Sequence, residues 1–334
     1  MASSPHKILV VGATGQQGGA LLSELAHLSS SSSSPVPISS LKILALTRSS
    51  SSAKAQAVLK SFNNTLDTEL VEGDTRDPDP IFAKHGDISA VFCFTTPPAA
   101  EEGAQAIALI DAAAANGVKR FVFSSVDRGG DEKSWDNPTD VPHFKSKHEI
   151  EHHLRRVCTS HPSMTYTILR PAAFMDNLNP TSYFGAVMAG LMSTMPSNTS
   201  LQMVSVHDIG VFAARALLSS LPSSLTPSPN TTPEVQDQYT NRAVSLAGDD
   251  LTLLEARSIY RRVAKSQLPQ AWSIFGYGLR WMVKDVGNMF TFFEREGYGV
   301  DIQKLRDEEP RLQSFETWLR ESSKFEWKGK GSSS

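Results

Sequence analysis

Cysteine is scarce in this chain: Cys93 and Cys158 are the only two in 334 residues. Two thiols cannot build a disulfide framework or a four-cysteine metal site, so both read as small core residues in a reducing compartment. Long apolar runs are missing as well. No stretch approaches the roughly 20 residues that cross a bilayer, and MASSPHK leads into ILVVGATG without an apolar segment followed by a cleavage site. The expectation is a cytoplasmic or nuclear protein without membrane contact. The Asn-x-Ser/Thr triplets at Asn63, Asn198 and Asn230 then read as chance matches in polar loops. A strong charge of one sign is the third absence: 32 Lys and Arg stand against 35 Asp and Glu, a net charge of -3, with no basic block. Direct nucleic-acid binding is therefore not expected.

What is present is an ordinary globular composition, 40% apolar and 20% charged, enough for a large core in one elaborated domain or two coupled ones. Through the first two-thirds, short β-branched or aromatic runs alternate with helical stretches. KILVV, LKILALT, TELVEG, AVFCFT, RFVFSS and YTILRP are the strand candidates. Gly18 to Leu28, Ala53 to Phe62 and Glu101 to Asn116 are helix candidates, the last carrying Ile107, Ile110 and Ala114 on one face before the NGV stop. This alternation predicts a doubly wound α/β Rossmann fold, a parallel sheet with helices on both faces. The expected organisation is a core over 5–175 and a smaller, mainly helical C-terminal domain over 176–330, with segments near 204–220 and 242–247 packing back on the core. The serine run from Ser29, continuing through PVPISS, and the polar stretch SSLPSSLTPSPNTTPEVQDQ read as flexible insertions at 29–40 and 219–238. No solenoid-type repeat is present.

The sequence VVGATGQQGGALL places Gly12, Gly15 and Gly18 between a buried-looking strand and an apolar-periodic helix. Glycines permit the tight turn and the close approach of a pyrophosphate, whose charge meets free N–H groups and the positive end of the helix dipole. The spacing is GxxGxxG, a variant typical of short-chain dehydrogenase relatives, and the strand–turn–helix frame strengthens the dinucleotide reading. The second strand ends ALTRSSSSAK, with Arg48 where an acidic residue would bind a ribose 2'-hydroxyl, and with Ser49, Ser50 and Lys54 nearby. An arginine there favours the 2'-phosphate of NADP(H) over NAD(H). After the third strand EGDTRD offers Asp74 near the adenine edge. After the fourth, FTTPP puts Thr95, Thr96 and Pro97 over the crevice at the strand ends.

Taken in order, GATGQQGG, LTRS, HFKSKHEIEHHL, LRPAAFMDNL, VSVHDIGVFAARAL, AVSLAGDDLTLLEA and the long C-terminal NMFTFFEREGYGVDIQKLRDEEPRLQSFETWL resemble the NmrA-like family, an atypical branch of the short-chain dehydrogenase/reductase superfamily. The C-terminal match is the most specific part, because Rossmann folds in general lack it. The resemblance implies NADP(H) as cofactor. Gly12, Ala13, Thr14, Gly15, Gln16 and Gln17 would cradle the pyrophosphate and Arg48 would contact the 2'-phosphate. Gly73 and Asp74 would border the adenine, and Thr95 to Pro97, Lys147 and Phe174 to Asn177 would line the nicotinamide half. The family holds both nucleotide-sensing regulators and reductases, so the resemblance narrows the ligand more than the activity.

HFKSKHEIEHHL, residues 143 to 154, spells both the HExxH pattern of a zinc hydrolase and a histidine four residues before a lysine. On a helix at about 100° per residue, His143, Lys147, Ile150, Leu154 and Val157 share a stripe of about 80° expected to face the sheet. His148 and His152, with Glu149 and Glu151 beside them, are expected on a solvated polar face. That leaves no closed metal cleft and no expected metal. Short-chain dehydrogenases carry Tyr-x-x-x-Lys on this helix, the lysine binding the nicotinamide ribose. Here His143 stands at the tyrosine position and Lys147 at the lysine. Lys147 on an apolar stripe needs a buried partner, for which a cofactor ribose is a candidate. His143 is either a proton donor titrating near neutral pH or simply a helix-start residue after Pro142, where the loop DRGGDEKSWDNPTDVP reads as mobile. Ser124 and Ser125 lie near where the superfamily's catalytic serine sits. Two functions follow as expectations: a nucleotide sensor regulating a protein partner, or an NADPH-dependent reductase of a small carbonyl or conjugated substrate.

Overall fold

A computed structural model describes residues 5–30, 38–219 and 238–323. Residues 31–37 and 220–237, the bulk of the two expected insertions, lie outside the described residues. The elements in chain order are β1 (His6–Val11), α1 (Gln16–Ser30), β2 (Leu41–Thr47), α2 (Ala53–Phe62), β3 (Asp67–Glu72), α3 (Asp79–Lys84), β4 (Ile88–Phe94), α4 (Ala99–Ala115), β5 (Arg120–Ser124), α5 (Lys133–Asp136) and α6 (Pro142–Ser160). They continue with β6 (Thr165–Pro171), β7 (Ala173–Phe174), α7 (Tyr183–Met192), β8 (Leu201–Val204), α8 (Val206–Leu218), β9 (Arg242–Leu246), β10 (Asp249–Leu251), α9 (Leu253–Ala264), α10 (Ser273–Met282), α11 (Lys284–Arg295), α12 (Ile302–Glu308) and α13 (Phe315–Glu321). Two compact units interleave along the chain. One comprises Met1–Ser125, Ser146–Arg170 and Ile209–Val244, the other Val126–Lys145, Pro171–Asp208 and Ser245–Ser334.

The first unit is built on a seven-stranded parallel sheet of order β3-β2-β1-β4-β5-β6-β9. Each apolar run expected as a strand is one, and the reason is visible in the burial. Ile8, Leu9, Val10, Ile43, Leu44, Ala45, Val91, Phe92, Phe121, Val122 and Phe123 are all fully buried. Consecutive residues on a strand point to opposite faces, so both faces of the sheet are covered, and the strands read as unbroken apolar runs. The strand order reverses between β1 and β4, which opens a crevice at their carboxyl ends. Helix α8 returns against α1: a Cβ at Gly210 would lie 2.5 Å from the carbonyl carbon of Ala20, so only glycine permits this approach.

Helix α6 is anchored on this sheet by charge as well as by apolar packing, and here the structure corrects the expected faces. The buried positions are Phe144, Ile150, Glu151, Leu154 and Cys158, while Val157 is only half-buried. Glu151, expected among solvated residues, is wholly buried and pairs with Arg170 at 2.7 Å, the guanidinium also buried on β6. Ser125 Oγ donates to the other Glu151 oxygen. The apolar periodicity hid this because one charged residue on the stripe is tolerated when a strand opposite supplies its counter-ion.

The second unit packs α7, α9, α10, α11 and α13 around Tyr260, Phe290, Phe315, Trp318 and Leu319. It is not only helical. β10-β8-β7 form a small sheet, antiparallel between β10 and β8 and parallel between β7 and β8. These strands of two to four residues are too short to leave a period-two signature. α9 starts with a capping box, Thr252 Oγ1 accepting from Glu255 N and Glu255 Oε2 accepting from Thr252 N at 2.8 Å.

The loop from 127 to 142 is tied down, not mobile as its composition suggested. Buried Asp127 accepts from the N–H groups of Gly129 at 2.9 Å, Gly130 at 3.0 Å and Gly299 at 3.0 Å, and from Ser245 Oγ at 2.6 Å. Buried Arg128 donates to the carbonyls of Val126, Ser134 and Asn137. Gly129 and Gly130 adopt φ of +108° and +96°, the left-handed region in which their N–H groups converge on one carboxylate.

The Glu151–Arg170 pair yields a stability test. Glu151→Leu leaves the guanidinium buried without its carboxylate and should lower the unfolding free energy by about 3–5 kcal/mol in a denaturant titration. Adding Arg170→Met should recover most of that loss.

Candidate functional site

Strand β1 delivers the chain into a turn that only glycine can make at two of its three glycine positions. Gly12 sits at φ +61°, and a Cβ there would fall 2.5 Å from Phe94 Cζ. A Cβ at Gly18 would fall 2.4 Å from the Gly12 carbonyl oxygen, so the first turn of α1 lies directly on the strand end. Gly15 closes the turn by donating its N–H to Gly12 O at 2.8 Å. Ala13 is buried beneath the turn, Thr14 is half-buried, and Gly15 and Gln16 are exposed. The first turn of α1 carries no acidic residue, leaving the positive end of its dipole uncompensated by side chains. Gln17 Oε1 is buried without a hydrogen-bond partner. The turn thus brings the start of α1 close against the end of β1, with the positive end of the helix dipole at its mouth, where an anion is favoured.

On the far side of the β1/β4 switch, Arg48 is exposed just beyond β2. Ser50 is already engaged: its N–H and Oγ both donate to Glu72 Oε2 at 2.9 Å, which lowers the pKa of that carboxyl. A Cβ at Gly73 would lie 2.8 Å from Ile81 Cγ1, so the chain after β3 hugs α3. Asp74 is gripped by Arg76, at 2.6 Å from Nη2 and 3.0 to 3.1 Å from Nε, and this bond holds its carboxyl below the usual range, with Arg48 adding to the effect. Arg76, two residues from an expected site residue, went unremarked in the sequence. Its exposed guanidinium pairs with the Asp74 carboxylate, whose charge also feels Arg48.

At the end of β4 the structure gives Lys147 the buried partner that its stripe position demands. Lys147 Nζ donates to Thr95 Oγ1 at 2.6 Å and forms an ion pair with Glu102 Oε2, to which Thr95 Oγ1 also donates at 2.6 Å. Glu102 is completely buried, and its Oε1 has no hydrogen-bond partner. Glu102 was missed, yet the sequence held a signal. It lies on the same stripe of α4 as Ala106, Leu109, Ile110 and Ala113, all buried, so one carboxylate of the Glu101–Glu102 pair had to face inward. Thr96 is exposed and bonded to Gln105 through its N–H at 3.1 Å, and Pro97 is exposed. Of the two candidate serines, Ser125 is committed to Glu151, whereas Ser124 at the end of β5 keeps a buried hydroxyl without a partner.

His143, Phe174 and Asn177 belong to the second unit. His143 Nδ1 lies 3.3 Å from Asp285 Oδ1, and its ring meets Phe144 edge-on. Phe174 ends β7 and Asn177 sits in the 3-10 turn Met175–Leu178, both half-buried. His148 and His152 bring their Nε2 atoms to 3.1 Å of each other and are half-buried, not solvated as expected. No group of three or more metal-ligating side chains occurs among the described residues. No helix among them is long and apolar enough to cross a membrane.

An open parallel sheet of this order, with a glycine turn after its first strand, defines the Rossmann class of α/β protein. The chain belongs to the NmrA-like family, which it matches over residues 4–311. It is 28% identical over 177 residues to an NmrA-like family domain-containing protein of Dictyostelium discoideum, a match covering 52% of this chain and 53% of the relative, so it spans about half the length of that protein. Among solved structures it is similar to NmrA, a negative transcriptional regulator in complex with NAD (TM-score 0.65, 16% identity, 96% of each chain). It is also similar to Citrobacter sp. triphenylmethane reductase complexed with NADP(H) (TM-score 0.63, 17% identity, 94% of this chain and 99% of that one). A third is an NADPH-dependent quinone oxidoreductase of Escherichia coli complexed with NADPH (TM-score 0.62, 17% identity, 93% and 97%). At these identities the likeness is one of fold.

Burial pushes the Cys93 thiol up to about 12, against the opposing effect of nearby Lys147, and it pushes Cys158 up to about 12 likewise. The folded values exceed the ordinary 9.0, so this contribution to stability is present below about pH 9 and is lost as pH rises towards 12. Thiol reagents attack the thiolate. A colorimetric thiol assay at pH 8 should therefore find no reactive cysteine in the native chain and both after unfolding.

Proposed function

We propose that this protein binds a nicotinamide dinucleotide, preferentially NADP(H), and that its primary role is to sense the nucleotide and pass its redox state to a protein partner. The observation that carries the reading is a pairing of opposites. The phosphate cradle at Gly12 to Gly18 is intact, while Lys147, the residue that would manage protons, is locked to Glu102 and Thr95 and has a histidine in place of the usual tyrosine one turn before it. In this reading Gly12 to Gln17 hold the pyrophosphate, and Arg48 supplies charge and bidentate geometry for a 2'-phosphate. Asp74 cannot repel that group, because Arg76 neutralises it. Thr95, Thr96, Pro97 and Lys147 hold the nicotinamide end. The dinucleotide supplies or accepts hydride when bound. Sensing requires only that its two redox forms have different affinities for two states of the chain.

The reductase reading has its own support in the two reductases among the similar folds, and a conjugated acceptor asks less of a proton donor than a ketone does. In that case Lys147 orients the ribose and Ser124 offers the hydroxyl nearest the end of β5.

NADPH at a hundred times its dissociation constant should stabilise the fold by about 2.7 kcal/mol, read as a thermal shift. Arg48→Glu should weaken NADPH binding at least tenfold more than NADH binding, and equal losses would remove Arg48 from the 2'-phosphate role. Limited proteolysis with NADP+ and with NADPH should give different cleavage rates, while NADPH persists through a panel of carbonyls, enones and quinones. Consumption abolished by Lys147→Ala would make the reductase reading the right one.

A further inference from the structure

Helix α10 is amphipathic in the reverse sense. At about 100° per residue, Tyr277, Trp281, Ile274, Gly278, Met282 and Phe275 share one face of about 160°. That face points to solvent: Trp281 is 87% exposed, Met282 75%, Ile274 73%, Phe275 62% and Tyr277 58%. The opposite face, with Ser273, Gly276, Leu279 and Arg280, points inward. A Cβ at Gly276 would lie 2.8 Å from the carbonyl oxygen of Gly190 on α7, and Ser193 Oγ donates to Ser273 Oγ at 3.0 Å. Arg280 donates to both oxygens of Glu294 at 2.6 and 3.1 Å and to Thr194 Oγ1 at 3.0 Å. Trp272, 75% exposed, stacks on Phe275 and extends the patch at the start of the helix. Ala271 donates to Ala186 O at 2.8 Å, which brings the patch to the first turn of α7, where Tyr183 and Phe184 are also exposed.

We infer that this face is a homodimer interface, closed by α10 of a second copy across a twofold axis near Gly278. Three observations select that occupant. The first is size. At the fractions exposed, Trp272, Ile274, Phe275, Tyr277, Trp281 and Met282 present on the order of 800 Å² of apolar surface, above the largest patch of a typical monomer and close to what one partner contributes to a standard interface. The second is charge. The face has no ionic group, so an identical face meets it without burying a charge, and its wealth of aromatics with methionine is the composition of an interface core. An anionic membrane surface would need a basic rim, but the Arg280 guanidinium is consumed by Glu294, and Lys284 is followed by Asp285. The third is shape: Gly278 lies at the centre of the face, and a Cβ there would meet nothing within 4 Å, which leaves room for a second helix backbone to approach.

The test uses the full chain over a low- to mid-micromolar range in sedimentation velocity and light scattering. The wild-type chain should sediment as a dimer. Trp281→Glu and Phe275→Glu, at positions already in solvent, should be monomers with unchanged circular dichroism. Flotation with phosphatidylcholine vesicles, with and without phosphatidylserine, should leave the wild-type chain unbound. A wild-type chain monomeric across the range overturns the inference, as does a Trp281→Glu variant that stays dimeric. Vesicle capture abolished by Trp281→Glu overturns it in favour of a lipid surface.

Discussion

Two buried ion pairs, one helical turn apart, fix α6 on the sheet. Lys147 reaches Glu102 on α4 and Thr95 beyond β4, and Glu151 reaches Arg170 on β6 and Ser125 beyond β5. The charges are opposite in sign and point to different neighbours, so neither can satisfy the other's partner. A slip of α6 by one residue would part both pairs and leave the buried Glu102, Glu151 and Arg170 without their counter-ions, each at a cost of several kcal/mol. Apolar packing brings the helix to the sheet, but these pairs set its register and hold Lys147 at the crevice.

That arrangement bears on the function proposed for the crevice. Lysine is a flexible, strongly hydrated charge, and a free one over a cofactor would sample many positions. Glu102 and Thr95 remove that freedom before any ligand arrives, so less ordering remains to be done on binding. The same bonds commit two of the three donors of the ammonium, which suits a positioned contact better than a proton carrier. The glycine turn leaves as little room for change, since a Cβ at Gly12 would strike Phe94 and one at Gly18 would strike the Gly12 carbonyl oxygen.

Much of this was legible in the sequence because the relevant signals are local. Six strands, α2 and the glycine turn follow from apolar runs alternating with helical stretches and from the position of glycines. The pairing of charges was not legible, because a partner such as Arg170 for Glu151 is set by which strand lies opposite a helix. The half-hidden cases are instructive. Lys147 announced that it needed a partner, and Glu102 sat on an apolar stripe, but only the fold joins them. The loop from Asp127 to Pro142 misled for the same reason: its glycines and acids are the composition of a mobile segment, yet they serve one buried carboxylate.

Asp127 also bears on the order of assembly. It gathers donors from its own loop, from Ser245 and from Gly299, positions 118 and 172 residues further along the chain. During synthesis the bonds from Ser245 and Gly299 cannot form until nearly the whole chain has emerged, so until then Asp127 has only the donors of its own loop. Pairing among β1 to β6 needs no such delay, since those strands have all been made by Pro171, and only β9 joins the sheet later. Pairing among β1 to β6 can thus be complete while the second unit is still being made, and the Asp127 carboxylate gathers its last donor only once Gly299 has emerged.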